Sequence, residues 1–243
     1  STCLAPRFER CLLAFSDGGS DELSIREFDL KTGGFVSGGF SAPASRVQTA
    51  WIDQDTVLIA HGLAGSAKTA AGWSAAARLW KRGTAAESAP IVFTAPASDA
   101  TLQFVAAAPG VALMTRVIDY STFEVRSVDA AGKVEVLPLP QSLKPFGPLG
   151  GVGRKVVVQF AKAGEVQGRA VPAESVVAYD LDARRTELVY APTEGEVISS
   201  FNGFPSSAGR VFLPVQKNLK TTLVAATPGK TGWSLKPLTE GAA

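Results

Sequence analysis

The sequence predicts an all-β chain, a β-propeller of four-stranded antiparallel blades, on three observations. Five Val/Leu-rich runs of similar character begin at Leu12, Val57, Val111, Val156 and Val211, spaced by 45, 54, 45 and 55 residues, near the ~40–50-residue period of propeller blades. After each start comes a second run suited to a half-buried pleated surface and then a cluster of turn residues. No window keeps an i, i+3, i+4, i+7 apolar stripe for three turns. The best helical competitor, 70–80, is Ala-rich but carries Gly72 and reads as a loop plus a strand.

The elements follow in order within each repeat. The second runs are 24–30, 76–81, 122–128, 175–181 and 221–226. The turn clusters are 29–34, 81–84, 129–133, 180–184 and 227–232, where Asp, Gly and Pro supply tight-turn geometry and so predict hairpin connections. Third runs follow at 34–40, 90–94, 133–139, 186–190 and 232–238. A fourth strand, expected innermost, is supplied by 46–52, 101–107, 145–151 and 197–204, each leading into the next start. Blades are therefore expected near 1–43, 44–98, 99–142, 143–194 and 195–243, as one propeller domain.

Composition excludes several classes. With 243 residues, a formal charge of +2, 46% hydrophobic and 19% charged residues, the chain reads as globular. Its 24 Gly and 15 Pro stay below the ~25–30% that marks low-complexity sequence. The longest nearly apolar stretch, 104–114, is broken by Pro109 and Gly110 and is shorter than the ~18–20 residues of a membrane span. Basic and acidic residues nearly balance, with no Lys/Arg run longer than Arg184-Arg185, so no nucleic-acid partner and no membrane partner are expected. The opening Ser-Thr-Cys-Leu-Ala-Pro-Arg has none of the three regions of a signal peptide; one was removed or never existed, which leaves the compartment open.

Chemistry-bearing residues are sparse. Cys3 and Cys11, eight apart, do not make a zinc pattern. Two strands joined around 6–10 can bring them opposite one another, where a bridge is possible in an oxidising compartment; the reading favoured is two buried or half-buried free thiols. The single histidine, His61, ends an apolar run and is expected to be a rim residue bonded to nearby backbone. No Gly-x-Ser-x-Gly elbow and no Ser-x-x-Lys dyad are present. Asp17 and Asp21 flank Gly18-Gly19-Ser20 as a tight turn, short of the oxygens of a calcium loop. Gly229-Lys230-Thr231 has Val224 where a phosphate loop needs glycine. A glycoside hydrolase built on the propeller would need acids on the innermost strands, which carry almost none. No catalytic residue, cofactor or metal is assigned.

The extra residues of the second and fourth repeats fall between the first and second runs, in loops 62–74 and 162–174. Both join equivalent strands and are expected to project from one face. They hold the candidate substrate-entry or interdomain residues His61, Trp73, Lys162, Glu165 and Arg169. Trp73 is either a contact for a substrate or domain or a cap on its own blade.

Several stretches resemble the propeller of the prolyl oligopeptidase family. Cys11-Leu12-Leu13-Ala14-Phe15-Ser16-Asp17-Gly18-Gly19 followed by Arg26-Glu27-Phe28-Asp29-Leu30-Lys31-Thr32-Gly33 looks like an early blade. Ala50-Trp51-Ile52-Asp53 through Leu79-Trp80-Lys81-Arg82-Gly83-Thr84 is similar to the next blade of bacterial members, and Pro172-Ala173-Glu174-Ser175 through Tyr179-Asp180-Leu181 to a later one. Where bacterial relatives often carry Ser-Gly-Tyr-Pro-Arg, this chain has Ala71-Gly72-Trp73-Ser74-Ala75, so that Arg has no counterpart here. The resemblance implies a fragment of a seven-bladed propeller, about five blades long, and a non-catalytic domain that gates short peptides to a separate α/β-hydrolase active site in the same parent chain, a serine-type oligopeptidase. The partners implied are that catalytic domain and short peptides, and the compartment is the bacterial cytoplasm or periplasm. The alternative is a self-standing propeller that binds a protein or ligand. Faces left open at the two ends of a truncated array predict self-association.

Overall fold

The computed structural model describes residues 2–62, 66–119, 121–139, 143, 150–199 and 203–239. Among them the strands form five principal antiparallel sheets and one short ribbon, with a single turn of 3-10 helix at Ala86–Ser88 and no α-helix.

Sheet I holds β1 (Thr2–Cys3), β2 (Arg10–Ser16), β3 (Leu23–Asp29), β4 (Gly34–Phe35) and β5 (Ser41–Ser45). Sheet II follows with β6 (Val47–Asp53), β7 (Thr56–His61), β8 (Ala76–Lys81) and β9 (Ile91–Thr94). Sheet III has β10 (Thr101–Ala108), β11 (Val111–Val117), β12 (Phe123–Asp129) and β13 (Val134–Val136). Sheet IV pairs β14 (Gly150–Val152), β15 (Lys155–Gln159), β18 (Val176–Asp180) and β19 (Arg185–Tyr190), with the ribbon β16 (Gly164–Val166) and β17 (Arg169–Val171) inserted between its middle strands. Sheet V has β20 (Glu196–Ile198), β21 (Ser206–Ser207), β22 (Arg210–Lys217), β23 (Lys220–Gly229) and β24 (Gly232–Pro237). In every sheet a four-strand path runs in chain order, the meander that four-stranded blades require, with β5 added on β3 and β21 on β22 off that path. Of the expected run 145–151, residues 145–149 lie outside the described residues, as do 200–202 of the run 197–204.

The chain divides into two compact units, Ser1–Pro138 and Leu139–Ala243. In the first, sheets I, II and III pack face to face, and β7 shows why its sequence is apolar throughout. Successive side chains of a strand point to opposite faces, so Val57 and Ile59 enter the core shared with Leu12, Ile25 and Phe40 of sheet I. Leu58 and Ala60 enter the core shared with Leu102, Phe104 and Met114 of sheet III. Phe40 wedges between Trp51 and Trp80, ring centroids 5.6 and 4.8 Å away. In the second unit Val157, Val176 and Ala178 of sheet IV meet Val211, Leu213, Val224 and Ala226 of sheet V in one core.

The turns after the second runs repeat one device. Asp29, Asp129 and Asp180 each end a strand, and each accepts two backbone N–H groups of the following turn: Lys31 and Thr32, Ala131 and Lys133, Asp182 and Ala183. This is the local carboxylate turn that Asp favours.

Two expectations are corrected. Cys3 and Cys11 are not free thiols but a disulfide, because the β1–β2 register sets them directly opposite; spacing in sequence does not reveal register. The third run of the first repeat, expected as one strand over 34–40, is broken. Residues 36–40 leave the ladder to bury Phe40, and the outer edge of β3 is shared by β4 and β5. The break is tied to Glu27, whose buried carboxylate accepts the Phe40 N–H at 3.0 Å. A Cβ on Gly39 would lie 2.8 Å from that carboxylate, so glycine is required there.

Candidate functional site

His61 is 2% exposed in β7. Its Nε2 donates to the Pro43 carbonyl at 2.8 Å, and its Nδ1 is buried without a hydrogen-bond partner among the described residues. The ring is packed inside sheet II and has no access to a solvent-borne nucleophile, so it lines no entry path. Among the described residues no group of three or more His, Cys, Asp or Glu is placed to hold a metal.

Loop 62–74, of which 63–65 lie outside the described residues, is knitted to the connection that enters sheet III. Thr69 Oγ1 donates to the Ala100 carbonyl at 2.8 Å and the Ala70 N–H to the Ala97 carbonyl at 2.7 Å. Trp73 is half-buried, and its ring lies 5.8 Å from the Arg46 guanidinium. Arg46 in turn donates to the Ala71 carbonyl at 3.2 Å and meets Asp21 at 3.5 Å. Gly72, at φ +79°, would direct a Cβ to within 3.3 Å of Arg46 Nη1. The structure thus joins Trp73 to Arg46 and Asp21, which sequence reasoning passed over; the available signal was the Arg that opens the innermost run 46–52.

The loop 162–174 is more ordered than expected. It folds into the ribbon β16–β17, closed by a two-residue turn in which Gln167 (φ 53°) and Gly168 (φ 75°) are both left-handed, the turn that suits a twisted hairpin. Val166 and Val171 are buried beneath it, and Gln167 Nε2 donates to the Thr186 carbonyl of β19 at 3.0 Å. The ribbon is therefore tied back onto sheet IV. Lys162, Glu165 and Arg169 lie exposed on or beside it, with Glu165 opposite Ala170 and Arg169 opposite Val166.

An open depression of about 380 Å³ in the second unit is lined by Arg154, Lys155, Asp180 and Asp182 together with Gly209 and Pro228. Lys155 Nζ bridges Asp180 at 2.5 Å and Glu187 at 2.9 Å, and Trp233 Nε1 donates to Glu187 at 3.2 Å. The backbone N–H of Ala183, then the Lys155 ammonium, hold the Asp180 carboxyl down to about 2. Burial pushes Glu187 up, but its bonds to Lys155 outweigh this and its pKa is lowered. Lys155, Asp180 and Glu187 all stand on sheet IV, so they form an ion-pair cluster of that sheet, which the Trp233 indole ties to sheet V.

No family model matches the chain. An uncharacterized peptidase of Sinorhizobium fredii is 24% identical over 96% of this chain and 33% of its own length. One of Rickettsia prowazekii is 24% identical over 94% of this chain and 34% of its own. Among solved structures, a post-proline cleaving enzyme from Rickettsia typhi superposes with a TM-score of 0.81 at 21% identity, covering 98% of this chain and 37% of that one. The β-propeller domain of the Trilobed protease from Pyrococcus furiosus superposes with a TM-score of 0.58 at 12% identity, covering 98% and 68%. The chain spans about a third of the length of the curated relatives it matches. It has the β-propeller fold, and its resemblance runs to the propellers of prolyl-oligopeptidase-type peptidases.

Proposed function

We propose that the chain is the non-catalytic propeller domain of a prolyl-oligopeptidase-like serine peptidase, each sheet being one blade, with the first blade extended from the expected 1–43 to Ser45 of β5. In this reading it limits access of short peptides to an active site on a separate α/β-hydrolase domain of the same polypeptide. The observation that carries the reading is coverage: nearly the whole chain aligns with about a third of each named peptidase. The chemistry agrees, since the one imidazole is buried on a carbonyl and cannot serve as a general base.

Within that reading, the Arg46–Trp73 pair is the peptide-facing element of loop 62–74. Trp73 offers a ring face, and the exposed Arg46–Asp21 pair, a weak one, can exchange its carboxylate for that of a peptide. In the second unit, Lys162, Glu165 and Arg169 are the exposed charged residues on or beside the ribbon and are a separate candidate for contact with a peptide or domain. The disulfide favours the periplasm over the cytoplasm, where thiols are kept reduced.

Two measurements test the reading. The purified 243-residue chain is expected not to cleave short proline-containing peptides; cleavage above a buffer control that is lost on a Ser substitution within the chain would overturn it. Sequencing the coding region beyond Ala243 is expected to reveal an α/β-hydrolase segment with Ser, Asp and His. Its absence there and upstream favours the self-standing scaffold.

A further inference from the structure

We infer that Leu219, at the tip of the β22–β23 hairpin, is a docking residue for an apolar pocket with an acidic rim on a domain tethered in the same polypeptide; the inference rests on the function proposed above. Three two-residue turns in the second unit have both central residues left-handed. They are Gln167-Gly168 (φ 53° and 75°), Ala208-Gly209 (48° and 72°) and Asn218-Leu219 (51° and 63°). Such turns favour glycine at the second position because a side chain there crowds the backbone. Two of the three follow the rule. The third carries leucine, and that leucine is 89% exposed, far above the next large apolar side chain, Leu30 at 56%.

Among the described residues nothing recovers this double cost of left-handed backbone and solvated leucine. Strain of this kind, held in a rigid hairpin, points to a use outside the chain. The turn is two residues long and the strands pair without a break from Lys217↔Lys220 to Val211↔Ala226, so the tip is rigidly presented. Its two flanking lysines are exposed; Lys217 donates to Thr193 Oγ1 at 3.3 Å and lies 3.8 Å from Glu196, with its side chain half open to solvent. The complementary surface is therefore apolar at its centre and acidic at its edge.

Magnitude selects the class of partner. Burying one leucine shifts an equilibrium by roughly 10- to 100-fold. Taken alone, that is too little to hold two separate molecules or a hairpin on a membrane; the tethered domain is the occupant because the chain spans only about a third of the length of its curated relatives. On a tether, where the effective concentration reaches about the millimolar range, the same shift decides between docked and undocked states.

The test compares the 243-residue chain with the full-length polypeptide by hydroxyl-radical footprinting, together with Leu219→Gly in both. Glycine suits the turn, so the variant is expected to keep or raise the melting temperature of the chain alone. In the full-length polypeptide Leu219 is expected to be protected, and Leu219→Gly to lower the docked fraction about 10-fold or more, read by scattering and by proteolysis between the domains. A compact full-length molecule in which Leu219 stays as reactive as in the chain alone overturns this inference and leaves the proposed function standing. A full-length molecule with no domain docked on the propeller overturns both. Leu219-dependent flotation of the chain with phosphatidylserine vesicles overturns the inference in favour of a membrane.

Discussion

Glu27 of sheet I and Arg82, in the turn that follows β8 of sheet II, form a two-point ion pair: Nη1–Oε2 is 2.7 Å and Nη2–Oε1 is 3.0 Å. The Glu27 side chain is fully buried. Its remaining partners are the Phe40 N–H and Arg10 at 3.5 Å, so the carboxylate is the point where the two sheets and the bulged 36–40 segment meet. Arg82 donates both bonds to Glu27, and this hydrogen bonding raises the pKa of Arg82, so the guanidinium keeps its charge.

Arg82→Ala is expected to destabilise the chain by about 3 kcal/mol, because it leaves a buried carboxylate short of its main counter-charge. Arg82→Lys, which keeps the charge but loses the fork, is expected to fall between wild type and Ala. Urea unfolding midpoints of the three proteins check the order; an Ala variant as stable as wild type contradicts it.

Acid sensitivity is expected from the ion-pair cluster of sheet IV. Asp180 is held at about 2, against an ordinary value of ~3.9 in the unfolded chain. A depressed carboxylate contributes stability that is fully present above the unfolded value and is lost as pH falls through the folded one. The window is therefore about pH 4 down to 2, and the contribution is about 2 kcal/mol. Asp180→Asn is expected to flatten stability across that window, measured by urea midpoints at successive pH values.

The disulfide closes a loop with a sequence separation of 8 and anchors β1, whose Thr2 carbonyl accepts the Trp51 indole N–H at 3.1 Å. Loop entropy for so short a span gives about 2.5 kcal/mol. Cys3→Ser is expected to lower the denaturation midpoint accordingly and to increase hydrogen exchange along β2. Thiol titration of the native chain without reductant is expected to find neither cysteine free.

Self-association is expected through the face of sheet I turned away from sheet II. Leu13, Phe15, Phe28 and Phe35 share that face by the β2–β3–β4 register; Phe15 and Phe35 are 41% and 45% exposed and their rings lie 6.0 Å apart. Arg26 covers Phe35 at 3.7 Å from the ring centroid. A face of this kind is normally covered in repeat arrays. The chain is expected to sediment as more than a monomer at high concentration, and Phe15→Lys with Phe35→Lys to return it to a monomer at a stability cost below ~1 kcal/mol, since both sites are surface sites. A wild-type monomer at every concentration contradicts this.

The sequence by itself determined the strands and the turns between them, because their causes are local. The alternation along β7, the Asp that closes β3, β12 and β18, and the spacing of the five starts all act over a few residues or repeat along the chain. What joins distant segments was decided by tertiary structure alone. That Cys3 meets Cys11 depends on register, and a one-residue slip turns a side chain to the other face. That Glu27 is buried at all depends on Arg82, 55 residues away, and Gly39 is required because that carboxylate and Val36 both crowd its Cβ position. Trp73 gained its neighbour Arg46 from a loop folded across a strand start, and the ribbon over 164–171 gained its order by burying Val166 and Val171 beneath it. For Glu27–Arg82 and Trp73–Arg46 the free energy comes from a contact between residues far apart in sequence, which the arrangement of the sheets brings together; the disulfide and the ribbon are closer in sequence, and there strand register decides.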